Sequence, residues 1–193
     1  MERTFDVFEL VALVTFLILF LGRSAQMYLV RGVRVFQLVV GKPWSEALLE
    51  GLFLVAFPLW SLDVVGHAWS TPFDVVPAAL DPVLLDVLAA RWVGAGLQVV
   101  GLVLFAWSLR SFGSSWRVGV DQRAPGALVT TGVFGWSRNP IFLSMDLFLV
   151  GSFLLNGQLM MLAFALGTAL GFHRQILNEE RFLGGLYGEP YRR

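Results

Sequence analysis

Hydrophobic residues gather into five long runs, Val7 to Leu21, Leu48 to Val65, Trp92 to Leu109, Ile141 to Leu155 and Leu159 to Phe172, while most charges fall between them. A helix needs about 20 mainly apolar residues to cross the hydrocarbon layer of a bilayer. The last two runs fall short of that and are joined by Asn156-Gly157, a turn pair, so they are expected to form a tight helical hairpin. The flanks Arg138 to Pro140 and His173-Arg174 extend them to the interface. The pattern predicts an all-α, polytopic membrane helix bundle of about five transmembrane helices with the last two as a hairpin. The connection from Gly66 to Ala90 carries Pro72, Pro77 and Pro82, which favours a short amphipathic piece on the membrane surface over a sixth span.

Composition supports the same solvent. Hydrophobic residues make up 56% of the 193 and charged residues 15%, with a mean hydropathy of +0.71, whereas a soluble domain carries about 25% charge. The formal net charge is zero, so no basic footprint for nucleic acid is present. The absence of cysteine excludes disulfides, thiolate catalysis and cysteine metal sites. The flank Met1 to Asp6 has no basic cluster, and no small-residue cleavage site follows the first run, which is therefore read as a retained span.

Loop charge sets the expected orientation. The first connection carries Arg23, Arg31, Arg34 and Lys42, the third Arg110, Arg117, Arg123 and Arg138, and the tail Arg174, Arg181, Arg192 and Arg193. The second connection has Asp74, Asp81 and Asp86 and no Lys or Arg. The positive-inside rule then puts the N-terminus outside and the C-terminus in the cytoplasm. The preference for arginine over lysine suggests a GC-rich bacterial source and so a bacterial cytoplasmic membrane.

Candidate chemistry collects at the cytoplasmic ends of the hairpin. Arg138-Asn139-Pro140 enters the fourth span; proline at the first helical turn leaves no orphan donor of its own, and the amides after it attract carboxylates. Taken alone, it reads as an interfacial arginine anchor with a helix-starting proline. Glu179 and Glu180 follow the fifth span, where they can accept ribose hydroxyls, an amine or an amide, or can simply solvate a helix end. Because the two spans form a hairpin, Arg138 and Glu179 return to one membrane face. Asp146, about two turns into the fourth span, is an intramembrane carboxylate and by default a functional candidate; its alternative is a bond to Gln98 or Arg110. Asp63 is near a span end and can reach the interface. His67 and His173 lie on opposite faces and offer no metal site. Trp44, Trp69, Trp92, Trp116 and Trp136 fall near span ends as an aromatic belt does, and Trp116 and Trp136 could also wall a pocket.

Val129 to Phe134, Arg138-Asn139-Pro140-Ile141-Phe142, Glu179-Glu180 and Tyr187-Gly188-Glu189-Pro190-Tyr191 together resemble the carboxy-terminal signature of the isoprenylcysteine carboxyl methyltransferase and phospholipid methyltransferase group. Phe112 to Asp121 is similar to a segment of its bacterial members. The likeness runs from the third span onward. It implies a single membrane-embedded domain, with residues 1–90 forming the first two spans and outer connection and 91–193 a cofactor-binding core.

The resemblance implies methyl transfer from S-adenosylmethionine to a lipophilic acceptor arriving from the bilayer, with membrane lipids as partners and neither metal nor nucleic acid. It assigns cofactor contacts to Leu128, Val129, Phe134, Asn139, Pro140, Phe142, Glu179 and Glu180. Gly94 and Gly96 resemble a glycine pair near the cofactor, although a small-x-small step also serves helix packing. Arg138 and Asp146 are the candidates for catalysis, and Gln175, Arg174 and Trp116 for the acceptor. The chain departs from the prenylcysteine enzymes at Asn139, Phe142 and Gln175, where they carry histidine, tyrosine and arginine. A neutral or weakly polar acceptor is therefore expected. Two other readings remain: a sterol-reductase-like membrane enzyme using NADPH, and a non-catalytic scaffold with a degenerate pocket.

Overall fold

The computed structural model describes residues 2–32, 44–69, 78–80, 82–113 and 130–188. Its long elements are helices α1 (Glu2–Arg31), α2 (Trp44–Trp69), α3 (Leu88–Phe112), α4 (Pro140–Asn156) and α5 (Leu159–Tyr187), with short 3-10 turns at Ala78–Leu80 and Gly132–Gly135. The expected all-helical polytopic bundle is what forms. By length and composition α1, α2, α3 and α5 can each cross a membrane. The 17-residue α4 is only about 25 Å long.

Two helices run well past their apolar runs. α1 continues to Arg31, so Arg23 is a helical residue and not part of a loop, and α5 continues from Phe172 to Tyr187. Neither extension contains a proline, and hydrogen bonding carries a helix into the interface after hydropathy has ended. The connection before α3 has a 3-10 turn at Ala78–Leu80 and an extended strap over 82–87, while residues 70–77 and 81, on which much of the expected amphipathic piece falls, lie outside the described residues. The strap is bonded to the α4–α5 turn: Leu84 N–H donates to Gly157 O at 2.7 Å, and Leu159 N–H to Pro82 O at 2.9 Å. Gly157 ends α4 with φ 69°, and a Cβ there would lie 2.7 Å from the Leu85 carbonyl carbon. The tight turn and the strap thus both require glycine.

The α3–α4 contact is the closest in the bundle. Gly94, Gln98, Gly101, Phe105 and Ser108 are buried on α3 at steps of three or four residues, which forms one face. Across from them, a Cβ on Gly94 would stand 2.7 Å from Gly151 O, and one on Gly101 2.8 Å from Ser144 O. Small residues let the two backbones touch, as in membrane helix pairs generally. An aromatic layer closes the middle: Phe16 stacks on Phe105 with centroids 4.8 Å apart and lies 5.5 Å from Phe148, while Trp60 stacks on Phe164 at 5.7 Å. All five helices contribute to it.

The antiparallel order gives the bundle two distinct ends. Phe5 meets Trp92 at 5.2 Å at the end that holds the Asn156-Gly157 turn, the turn end. Arg23 donates through Nη2 to Gly113 O at the end where α4 begins, the proline end.

Candidate functional site

The approach to α4 is pinned onto the end of α3. Gly132 has φ 64° and sits so close to Ser111 that a Cβ would lie 2.5 Å from its Oγ. Val133 is buried, and Trp136 and Ser137 both donate their N–H to its carbonyl at 3.1 Å. Phe134 packs edge-on against Phe112 at 4.9 Å. Asn139 N–H donates to Ser137 Oγ at 3.3 Å, and Pro140 opens the helix. The first intrahelical bond is Leu143 N–H to Asn139 O. The Ile141 and Phe142 amides therefore precede it, at the positive end of the helix dipole.

α5 passes this edge and overhangs it. Phe142 meets Phe172 with centroids 5.0 Å apart, and Phe172 also touches Phe53 of α2 at 6.1 Å. Seven residues on, Glu179 returns to within about 20° of the Phe172 direction and about 10 Å further along the axis. Gln175 lies between them and donates through Nε2 to Glu179 Oε1 at 3.0 Å, so its amide is turned toward the carboxylate. Arg174 is exposed, about 160° from Phe172 around the helix. Glu180 is half-buried about 80° from it. Arg138 is exposed just ahead of Asn139. The hairpin therefore brings Phe134, Arg138, Asn139, Pro140, Phe142, Gln175 and Glu179 to one end.

Asp146 is half-buried one turn inside Phe142, and its Oδ1 is enclosed with no hydrogen-bond partner among the described residues. It bonds to neither alternative: Gln98 turns to Glu9 and Arg110 is exposed. Counting back one turn on each helix from the Phe142–Phe172 contact sets Asp146 level with buried Thr168. A carboxylate oxygen with no donor at this depth is suited to receive one from a bound molecule.

Other candidates lie elsewhere. Gly94 packs on α4 and Gly96 faces open space; both are near the start of α3, about 25 Å from the proline end along the helix. They are not brought to the other candidates. Leu128, Val129 and Trp116 lie outside the described residues, and Trp136 is 88% exposed. Asp63, near the end of α2, is buried, and its Oδ2 lies 3.4 Å from His67 Nδ1 one turn on; α2 continues past both to Trp69.

Two residues escaped sequence reasoning. Arg23 was counted as loop charge, yet α1 carries its half-buried guanidinium to the proline end, where Nη1 donates to Gln26 Oε1 at 2.6 Å and Nε has no partner among the described residues. Glu9 was absorbed into an apolar run. It is 1% exposed and joined to other helices, and a lone carboxylate inside a span was the available signal.

Residues 89–190 match the family model described as phospholipid methyltransferase. The match covers α3, α4 and α5, including the edge just described, and leaves α1 and α2 outside. No curated protein and no solved structure matches the chain.

Proposed function

Since the chain belongs to the phospholipid methyltransferase family and is thereby a membrane methyltransferase, we propose that it moves the methyl group of S-adenosylmethionine to a lipophilic acceptor at the proline end. The observation that carries this reading is the convergence of the α4 amino terminus with the Gln175–Glu179 pair, fixed by the Phe142–Phe172 contact at 5.0 Å. The donor set fits the cofactor. Ile141 and Phe142 amides, with Arg138 beside them, suit a carboxylate. Glu179, held by Gln175, suits an ammonium or ribose hydroxyls, and Phe134, Phe142 and Phe172 supply apolar walls.

When bound, the cofactor supplies a methyl group already activated on a sulfonium. The protein's remaining work is alignment and exclusion of water. Phe142, Phe172 and Phe53 line the way from the bilayer side and keep it dry. Asp146 accepts a hydrogen from the acceptor's N–H or O–H, holding its lone pair toward the donor end. Arg23 adds a cation at the same end, so an acceptor with an anionic part has a partner there that α5 alone does not provide. The expectation of a neutral acceptor rested on Gln175 and Arg174 alone.

The decisive test is thermal stabilisation of the purified protein in detergent by S-adenosylhomocysteine and by NADPH, because a ligand that binds only the native state raises the midpoint. Stabilisation by S-adenosylhomocysteine alone is expected. Stabilisation by NADPH alone would replace the proposal with a reductase. Asp146→Asn should lower kcat with labelled cofactor by at least about 100-fold and leave S-adenosylhomocysteine affinity intact; unchanged kcat would remove Asp146 from the reaction.

A further inference from the structure

A narrow crevice runs between α2 and α4. Phe53, Phe57 and Trp60 of α2 and Met145, Phe148 and Leu149 of α4 form its sides, and Phe16 of α1 closes it on the inside. Every lining side chain is apolar, so a water there would lack the two to four polar partners it needs. The crevice suits hydrocarbon.

Burial gives it a direction. Phe53, Phe57 and Met145 are half-buried, whereas Trp60, Phe148 and Leu149 are 2%, 3% and 5% exposed. The half-buried side lies toward the proline end: Phe53 touches Phe172 at 6.1 Å, and Phe172 meets Phe142 in the contact that fixes the candidate site. Phe142, Met145, Asp146 and Leu149 follow one another at steps of three or four residues and form one stripe of α4. Asp146 therefore stands at the mouth of the crevice.

The far end is held shut. Trp60 Nε1 donates to Ser152 Oγ at 3.0 Å, and the indole stacks on Phe164 at 5.7 Å and meets Phe148 edge-on at 6.0 Å. It cannot swing without losing that bond and both ring contacts. Phe53 and Phe57 are freer, so a chain entering at the mouth widens the crevice there and stops at Trp60. Asp146 and Ser152 are about 9 Å apart along α4, which an extended chain at about 1.2 Å per bond covers in about seven or eight bonds.

We propose that this crevice holds the hydrocarbon tail of the acceptor and that Trp60 sets its length, which makes the acceptor a short, single-tailed amphiphile. The proposal rests on the reading of the proline end as the methyl-transfer site. A tail that arrives from lipid or detergent gains little from burial, because its former surroundings were equally apolar. Selection therefore comes from fit, and a tail too long for the crevice overpacks Trp60, which lowers occupancy about 5- to 150-fold. Phe16, Phe53, Phe57 and Trp60 all precede the matched residues 89–190, so this selection is made by the part of the chain that the family model leaves out.

The test is photolabelling of the full chain in detergent, without cofactor, by octyl and dodecyl alcohols that carry a diazirine on the terminal carbon, with the labelled residues identified by mass spectrometry. The octyl probe should label Phe57, Trp60, Phe148 and Leu149 saturably and be displaced by plain octanol. At the same mole fraction in detergent the dodecyl probe should label them about 5- to 150-fold less. Trp60→Ala should raise dodecyl labelling to the octyl level, and Met145→Trp, which fills the mouth, should abolish labelling of the crevice by both. Should Trp60→Ala fail to fold, Met145→Trp and the wild-type series decide. Labelling confined to outward residues such as the exposed Leu52 and Val55 would overturn the proposal, as would equal labelling of the wild-type crevice by both probes or octyl labelling that survives Met145→Trp. Stabilisation of the wild type by S-adenosylhomocysteine is a separate measurement: its absence would refute the methyl-transfer reading, while the labelling still decides whether the crevice takes a tail.

Discussion

Replacing Glu179 by alanine removes the one carboxylate that the structure holds on the Phe172 stripe of α5, about two turns beyond the Phe142–Phe172 contact. A hydrogen bond to a charged group contributes about 1.5 to 3 kcal/mol, which at about 1.4 kcal/mol per decade is roughly a 10- to 150-fold loss of affinity for S-adenosylhomocysteine. Gln175→Ala should cost less, about 2- to 10-fold, because it removes a 3.0 Å bond that only orients Glu179. If Gln175 acts through Glu179, the losses cannot add, and the double variant should bind like Glu179→Ala alone. Calorimetric titration of the four proteins in detergent completes the cycle, with size-exclusion profiles to show that each is folded. Arg174→Ala is the control, as its side chain is exposed on the far side of α5. Additive losses would show that Gln175 contacts the ligand by itself, and an unchanged affinity in Glu179→Ala would remove the carboxylate from the site.

Gly94→Ala should lower the thermal midpoint by several degrees, since its Cβ would meet the Gly151 carbonyl oxygen at 2.7 Å and overpacking costs about 1 to 3 kcal/mol. Gly96→Ala, with open space around it, should leave both the midpoint and S-adenosylhomocysteine affinity unchanged; weakened binding there would restore the cofactor role implied by the resemblance. Single cysteines at Asp86 and Trp136, both exposed and at opposite ends, should label from opposite sides of intact cells, Asp86 from outside. Equal access from outside would reject the arginine-based orientation.

Hydropathy made the number, order and hairpin pairing of the helices legible, because each is a property of a continuous segment. It could not reveal where the helices stop. Beyond Leu21 and beyond Phe172 the residues turn polar while the backbone goes on hydrogen-bonding, and those ten or more extra residues are what carry Arg23, Gln175 and Glu179 to the proline end. The short motifs around Asn139 and Glu179 were readable as a pair only because the hairpin returns them to one face. Gly94 and Gly96 look alike in the sequence, yet a step of two residues turns about 200° around a helix, so only one of them can face α4.

Glu9 marks the limit of local reading most clearly. Its neighbours in sequence are apolar, and nothing near it distinguishes a functional carboxylate from a tolerated one. Its partners Gln98, Ser152 and Asn156 are 89, 143 and 147 residues away and come together only once α1 has docked on the α3–α4 pair. The same docking brings Arg23 to the opposite end of α1, about 21 Å along the helix. Since α1 is one rigid rod between them, its register against α3 is set by both: sliding it by one turn to satisfy Glu9 differently would draw Arg23 away from Gly113. The polar cluster at the turn end therefore fixes where a cation stands at the proline end. A variant that loosens Glu9 should weaken binding of any anionic part of the acceptor while leaving the Gln175–Glu179 pair, which belongs to α5 alone, in place.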